Sequence, residues 1–193
     1  MKISAIVPVS ADHRAAVLTP IAGRPALSRV VDSLSAADLH SVVVTVAPAL
    51  MADVERALAG TAATVLAAPD GDGLPAAVEH LRAEAVSHVL VADPRQVLIS
   101  PQVIGRVRAA LAGGAAKVVP IVPVTDTVKT VDAQGRILAT VDRSALRTAQ
   151  YPYGAAVDAL ADVDIVTVEG DPDAILADLP ADTALIEALI ACR

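Results

Sequence analysis

Short β-branched blocks alternate along this chain with amphipathic segments that begin near a proline, and that order leaves few folds open. Residues 2–9 (KISAIVPV), 41–47 (SVVVTVA), 62–67, 88–92 (HVLVA) and 117–122 are apolar runs rich in Val and Ile. Such runs predict strands buried on both faces. Between them, 25–37, 48–58, 74–85 and 101–112 carry helical spacing. Leu27, Val30, Val31 and Leu34 fall at i, i+3, i+4 and i+7, and Val103, Val107 and Leu111 are spaced similarly. Pro25, Pro48, Pro75 and Pro101 stand near the predicted helix starts, where a missing N–H removes no helical bond. A β-α-β-α order of this kind predicts an α/β fold, a largely parallel sheet covered by helices on both faces.

Composition narrows the function classes. The 193 residues fit one domain spanning 1–193, without internal repeat or low-complexity linker. Fifteen Lys+Arg against 22 Asp+Glu give a net charge of −7. There is no Trp or Phe, and the two tyrosines are Tyr151 and Tyr153. An acidic chain so poor in aromatics lacks the basic, base-stacking face that polymeric nucleic acid requires, so no nucleic-acid partner is expected. Mean hydropathy is +0.58, yet no apolar block reaches the ~20 residues of a bilayer span, and no membrane association is expected. The apolar run after Lys2 is too short for a signal peptide, and the single Cys192 forms no internal disulfide, so cytoplasmic residence is the expectation. Only Lys2, Lys117 and Lys129 among the basic residues are lysines; the arginine and alanine richness suggests a GC-rich bacterial coding bias.

One segment departs from the alternation. Residues 123–140 (PVTDTVKTVDAQGRILAT) form two extended, polar and alternating runs around Asp132-Ala133-Gln134-Gly135. This predicts a β-hairpin arm over about 123–143 that protrudes from the domain and packs on a second subunit, giving a homodimer. A short helix near 144–148, a strand at 164–168 and a terminal helix at 182–191 are expected to follow.

In a doubly wound sheet ligands bind beyond the carboxyl ends of the strands. Three stretches qualify: the loop Pro8–Arg14 after the first strand, Asp93-Pro94-Arg95 after the fourth, and Val168-Glu169-Gly170-Asp171-Pro172-Asp173 late in the chain. With the arm, they carry a resemblance. Pro123-Val124-Thr125-Asp126-Thr127-Val128-Lys129 followed by Thr140-Val141-Asp142-Arg143, Leu146 and Pro152 is similar to the P-V-x-D-T-[IVM]-K and T-[VL]-x-R-x-x-L-x-x-x-x-x-P arm of the 2-C-methyl-D-erythritol 4-phosphate cytidylyltransferases of the non-mevalonate isoprenoid pathway. Ala5-Ile6-Val7-Pro8 with Arg14, the strand ending at Asp93, and Val168-Glu169-Gly170-x-x-Asp173 match the family more weakly.

The resemblance implies a Rossmann-like, three-layer nucleotidyltransferase fold. It also implies transfer of CMP from CTP to a sugar-alcohol phosphate. Arg14 matches an arginine that contacts the triphosphate, and Asp93 and Asp173 match carboxylates that hold Mg²⁺. Thr127 and Arg143 match arm residues that grip the substrate phosphate across a homodimer. Hard oxygen ligands suit Mg²⁺ and an arginine fork suits phosphate.

The departures from the family pattern are as informative. The A-A-G-x-G-x-R loop has no glycine here before Gly23, and the lysine of the following P-K-x is missing. In the G-x-x-R-x-x-S motif that reads the base, the arginine is Leu74 and the serine is Ala77; the late D-N-[IF]-K lysine is Leu176. A stretch between arm and last strand is deleted. Two function classes therefore stand side by side. One is a divergent cytidylyltransferase or a nucleotidyltransferase of altered specificity, using Mg²⁺ and, for the lost lysines, arginines such as Arg24 or Arg95. The other is a catalytically degenerate binding or interaction protein on the same fold. Structural alternatives also stand beside each site residue: a loop or capping carboxylate for Asp93 and Asp173, a solvated loop for Arg14 with His13, and an ion pair with Asp142 or Asp126 for Arg143. His13, His40, His80 and His88 lack metal-ligand spacing, and Cys192 lacks a catalytic context. No catalytic residue is assigned.

Overall fold

The computed structural model describes residues 1–68, 73–160 and 164–192. In chain order the first elements are β1 (Ile3–Val9), α1 (Arg14–Leu18), a small pair β2 (Pro20–Ile21) and β3 (Arg24–Pro25), α2 (Ala26–Ser35), β4 (Val42–Val46), α3 (Met51–Ala57), β5 (Thr64–Ala67), α4 (Gly73–Ala83) and β6 (His88–Val91). Then come α5 (Pro101–Ala112), β7 (Lys117–Pro123), β8 (Lys129–Val131), β9 (Ile137–Thr140), β10 (Arg147–Ala149), β11 (Tyr153–Ala156), β12 (Ile165–Glu169) and α6 (Thr183–Ala191).

β1 lies at the centre of the main sheet, parallel to β4 on one side and to β6 on the other, with β5 continuing beyond β4. Alternation along β1 sends side chains to both layers. Ile3, Ala5, Val7 and Val9 join Leu27, Val30, Val31 and Leu34 of α2 and Val103, Ile104, Val107 and Leu111 of α5. Ile6 faces the other way, with Val43, Val89 and Val91, onto Ala77, Val78 and Leu81 of α4. Each fully buried Val, Leu or Ile contributes about 1.5–3 kcal/mol, so both faces of the central strands hold their helices. The three-layer α/β arrangement expected from the alternating blocks is the one observed.

Two local expectations are corrected, and one strand is additional to those expected. β5 is an outer strand with Thr64 and Ala67 exposed, not a strand buried on both faces. The segment expected as a helix near 144–148 is a turn followed by β10. There the Asp142 carboxylate accepts the Ser144 N–H at 2.9 Å, and Arg147–Ala149 pair with the Ile121–Pro123 edge of β7. Open ladder groups on β7 outweigh the weak helical preference of so short a segment. β11 was not foreseen: it inserts antiparallel between β6 and β7.

The hairpin pairing is present, with Lys129 opposite Thr140 and Thr130 opposite Ala139, outside the main sheet. Its turn is held by Asp132, whose carboxylate accepts the Gln134 and Arg136 backbone N–H groups and the Arg136 Nε–H at 2.7–3.0 Å. Those bonds, the Arg136 backbone N–H first, hold the Asp132 carboxyl below its ordinary value. Among the described residues no helix is long and apolar enough to cross a membrane.

Candidate active site

At the carboxyl ends of β1 and β6 a cavity of about 290 Å³ is lined by Pro8, His13, Leu74, Asp93, Tyr151 and Tyr153, with Val91, Ala92 and Pro94. The parallel strands deliver Pro8 and Asp93 to it. The buried Gln96 side chain positions Tyr151, donating to its carbonyl at 2.6 Å and accepting its N–H at 3.0 Å. Gly73 opens α4 against the sheet because a Cβ there would lie 1.9 Å from Thr45 Oγ1. That glycine serves close packing of α4 on β4. Residues Gly71 and Asp72 of the same motif lie outside the described residues.

The loop after β1 does not form a phosphate cradle. Ala11–His13 wind as a 3-10 turn into α1, and the N–H groups of His13 and Arg14 bond the carbonyls of Ser10 and Ala11. No residue from 10 to 16 takes a positive φ, the backbone state an anion nest uses. The Arg14 guanidinium lies against Asp53 of α3 at 2.6 Å, and Asp53 also takes Arg56 at 3.1 Å.

Among the predicted site residues, Asp93 lines the cleft. Tyr151 lines both the cleft and a second cavity. Asp173 is exposed beside Pro172 and Ala174, which line that second cavity of about 470 Å³ under the arm base, together with Val122, Val124, Thr125 and Gln150. Thr127 and Arg143 are exposed at the start and end of the hairpin. Arg143 donates to the Thr125 carbonyl, so its partner among the described residues is backbone rather than Asp142 or Asp126. Gln150 was not foreseen. Buried, it donates to the carbonyls of Asp171 and Ala174 and accepts the Asp171 N–H, which fixes the turn carrying Asp173. Nothing in the local pattern marks a glutamine for this role.

The profile of the 2-C-methyl-D-erythritol 4-phosphate cytidylyltransferases matches residues 10–178, which include the cleft loop, Asp93, the arm and Asp173. The chain belongs to this family. Enzymes of that name from Frankia casuarinae and Saccharopolyspora erythraea are 34% and 36% identical to it, over 98% and 90% of this chain and 82% and 90% of theirs. Among solved structures, a 4-diphosphocytidyl-2C-methyl-D-erythritol synthase superposes with a TM-score of 0.83 at 22% identity over 98% of this chain and all of the other. The cytidylyltransferase of Thermus thermophilus gives 0.78 at 24% over 99% of this chain and all of its own. At those identities the likeness is one of fold.

Nucleotidyltransferases of this family are generally metal-dependent. The donors here do not suit Mg²⁺. Both Asp93 oxygens are engaged by Arg95: Oδ1 accepts its backbone N–H at 2.8 Å and Nε–H at 3.0 Å, and Oδ2 accepts Nη2–H at 2.8 Å. Among the described residues no group of three or more His, Cys, Asp and Glu is placed to hold a metal ion.

Proposed function

We propose that this chain is a cytidylyltransferase homologue in which CMP transfer from CTP to a sugar-alcohol phosphate is lost or reduced to a trace, while the cleft still binds a nucleotide. The observation that carries the reading is the pairing of three arginines, none of which lines the cleft. Arg14 is held by Asp53, Arg24 by Asp32 at 2.6 Å, and Arg95 by Asp93. These are the cations that could replace the absent lysines, and each already serves a carboxylate. Retained binding is supported by the cavity itself, walled by two tyrosines whose ring centroids are 6.0 Å apart. His13 Nδ1, on the same wall, is buried and without a hydrogen-bond partner among the described residues, and such groups usually have a ligand or water to satisfy them.

The test is thermal. CTP or CMP at about 100 times its Kd should add about 2.7 kcal/mol of stability and raise the melting temperature accordingly. If neither nucleotide shifts the transition at millimolar concentration, nucleotide binding falls.

The same reading takes residues 1–193 as one cytoplasmic domain with a dimerisation arm at about 123–143. Thr127 and Arg143 would approach a substrate phosphate in the partner's cleft, and Mg²⁺ would serve only a turnover-competent form. The arm exposes Val131, Ile137 and Leu138, and a two-stranded ribbon is marginal without a partner surface. Isologous pairing about a two-fold axis is the simplest cover. Sedimentation should show a dimer at micromolar concentration, and a variant with Ile137→Lys and Leu138→Lys should sediment as a monomer. A wild-type monomer would end the shared-site reading.

A further inference from the structure

We propose that Arg95 has taken the place of a divalent cation at Asp93, so that the cleft holds its ligand without metal. The inference deepens the reading above and rests on it only for the choice of nucleotide as one probe. Asp93 is built into the pair by local geometry. Its carbonyl accepts the Gln96 N–H at 3.1 Å, closing a turn, and its side chain caps the Arg95 N–H within that turn. The guanidinium then meets the carboxylate as a two-point fork, the strong form of a charge-assisted bond. Arg95 is anchored from its other side, where its carbonyl accepts the Ala177 N–H at 3.2 Å.

Mg²⁺ requires oxygen ligands at about 2.0–2.1 Å in near-octahedral array. Here each Asp93 oxygen points lone pairs at N–H groups, and a fixed positive charge stands where a dication would have to come. Asp173, the second carboxylate a metal would use, is exposed beside the other cavity and not on the cleft wall. The Asp93 side chain is one-tenth exposed and that of Arg95 about one-third, so solvent screens this repulsion only in part. The cleft is thereby close to charge-neutral at Asp93, and a metal-bound triphosphate gains nothing there over the free nucleotide.

Manganese, a spectroscopically visible stand-in that takes the same oxygen donors, provides the test. Electron paramagnetic resonance titration of the wild type should show no loss of free Mn²⁺ signal beyond that given by Asp93→Asn. Arg95→Gln, which removes the guanidinium and leaves only the backbone N–H on Oδ1, should bind Mn²⁺ about tenfold more tightly than the wild type, and adding Asp93→Asn should remove the gain. Wild-type binding that Asp93→Asn abolishes would overturn the proposal, and so would an Arg95→Gln protein that folds and gains nothing. Should Arg95→Gln not fold, the comparison of wild type with Asp93→Asn decides alone. In the nucleotide arm, the CTP-induced melting shift should be the same in Mg²⁺ and in chelator, and a shift that needs Mg²⁺ would refute metal independence. If CTP produces no shift under either condition, the nucleotide reading fails, and the manganese comparison still decides this one.

Discussion

Pyrophosphate release from CTP in the presence of 2-C-methyl-D-erythritol 4-phosphate should run at least about 10³-fold below the rate of a functional family member. A single preorganised donor aimed at developing charge is worth about 10²–10³ in rate. This chain lacks two of the family's lysines, at the P-K-x position and at Leu176, and lacks the glycines before Gly23 that would shape the loop. Nearby arginines do not restore the charge, because Arg14 and Arg24 each lie 2.6 Å from an aspartate. To reach a phosphate, either would have to leave its carboxylate, and although such exposed pairs hold by no more than about 1 kcal/mol, neither arginine lines the cleft. A factor of 10³ corresponds to about 4 kcal/mol of transition-state stabilisation. Turnover at ordinary rates would show that an arginine moves into the cleft on binding. The degenerate reading would then be wrong.

The second large effect is on stability. Gly154→Val should destabilise the protein by about 3 kcal/mol. For a chain of this size that lowers the melting temperature by about 6–12 °C. Gly154 sits in β11 beneath α5, where a Cβ would stand 2.6 Å from Val107 Cγ1, 2.8 Å from Leu111 Cδ1 and 3.2 Å from Leu90 Cδ2. All three neighbours are buried core residues, and protein interiors are close-packed. The glycine lets α5 approach the sheet at the point where an antiparallel strand joins β6 to β7. Urea or thermal unfolding of the variant reads the effect directly. An unchanged midpoint would mean that β11 is not packed beneath α5.

Which parts of this molecule could be read from residues alone follows from the range of the forces involved. β1, β4 and β6 were legible because burial on both faces demands unbroken runs of Val and Ile, whereas β7 shows the same run with only Val118 and Pro120 buried. The helices α2 and α5 were legible because a 3.6-residue period places Leu27, Val30, Val31 and Leu34, or Val103, Val107 and Leu111, on one stripe. The hairpin turn was legible because Asp132 and Gly135 satisfy a local backbone geometry, with Gly135 at φ 80°. All of these depend on neighbours within a few positions. β11 was not legible: Tyr-Gly-Ala-Ala has little strand preference, and it becomes a strand because β6 and β7 leave a slot between them. The helix expected near 144–148 was lost to the same cause, the open edge of β7. The motif letters singled out Asp93, which lines the cleft, and Arg14 and Arg143, but could not say what each would hold. Arg14 meets Asp53 across 39 positions of chain, and Gln150 clamps a turn 21 positions away. Partners so distant in sequence are chosen by how the layers pack, because charge and hydrogen-bond pairing act over a few ångströms of space and are indifferent to separation along the chain.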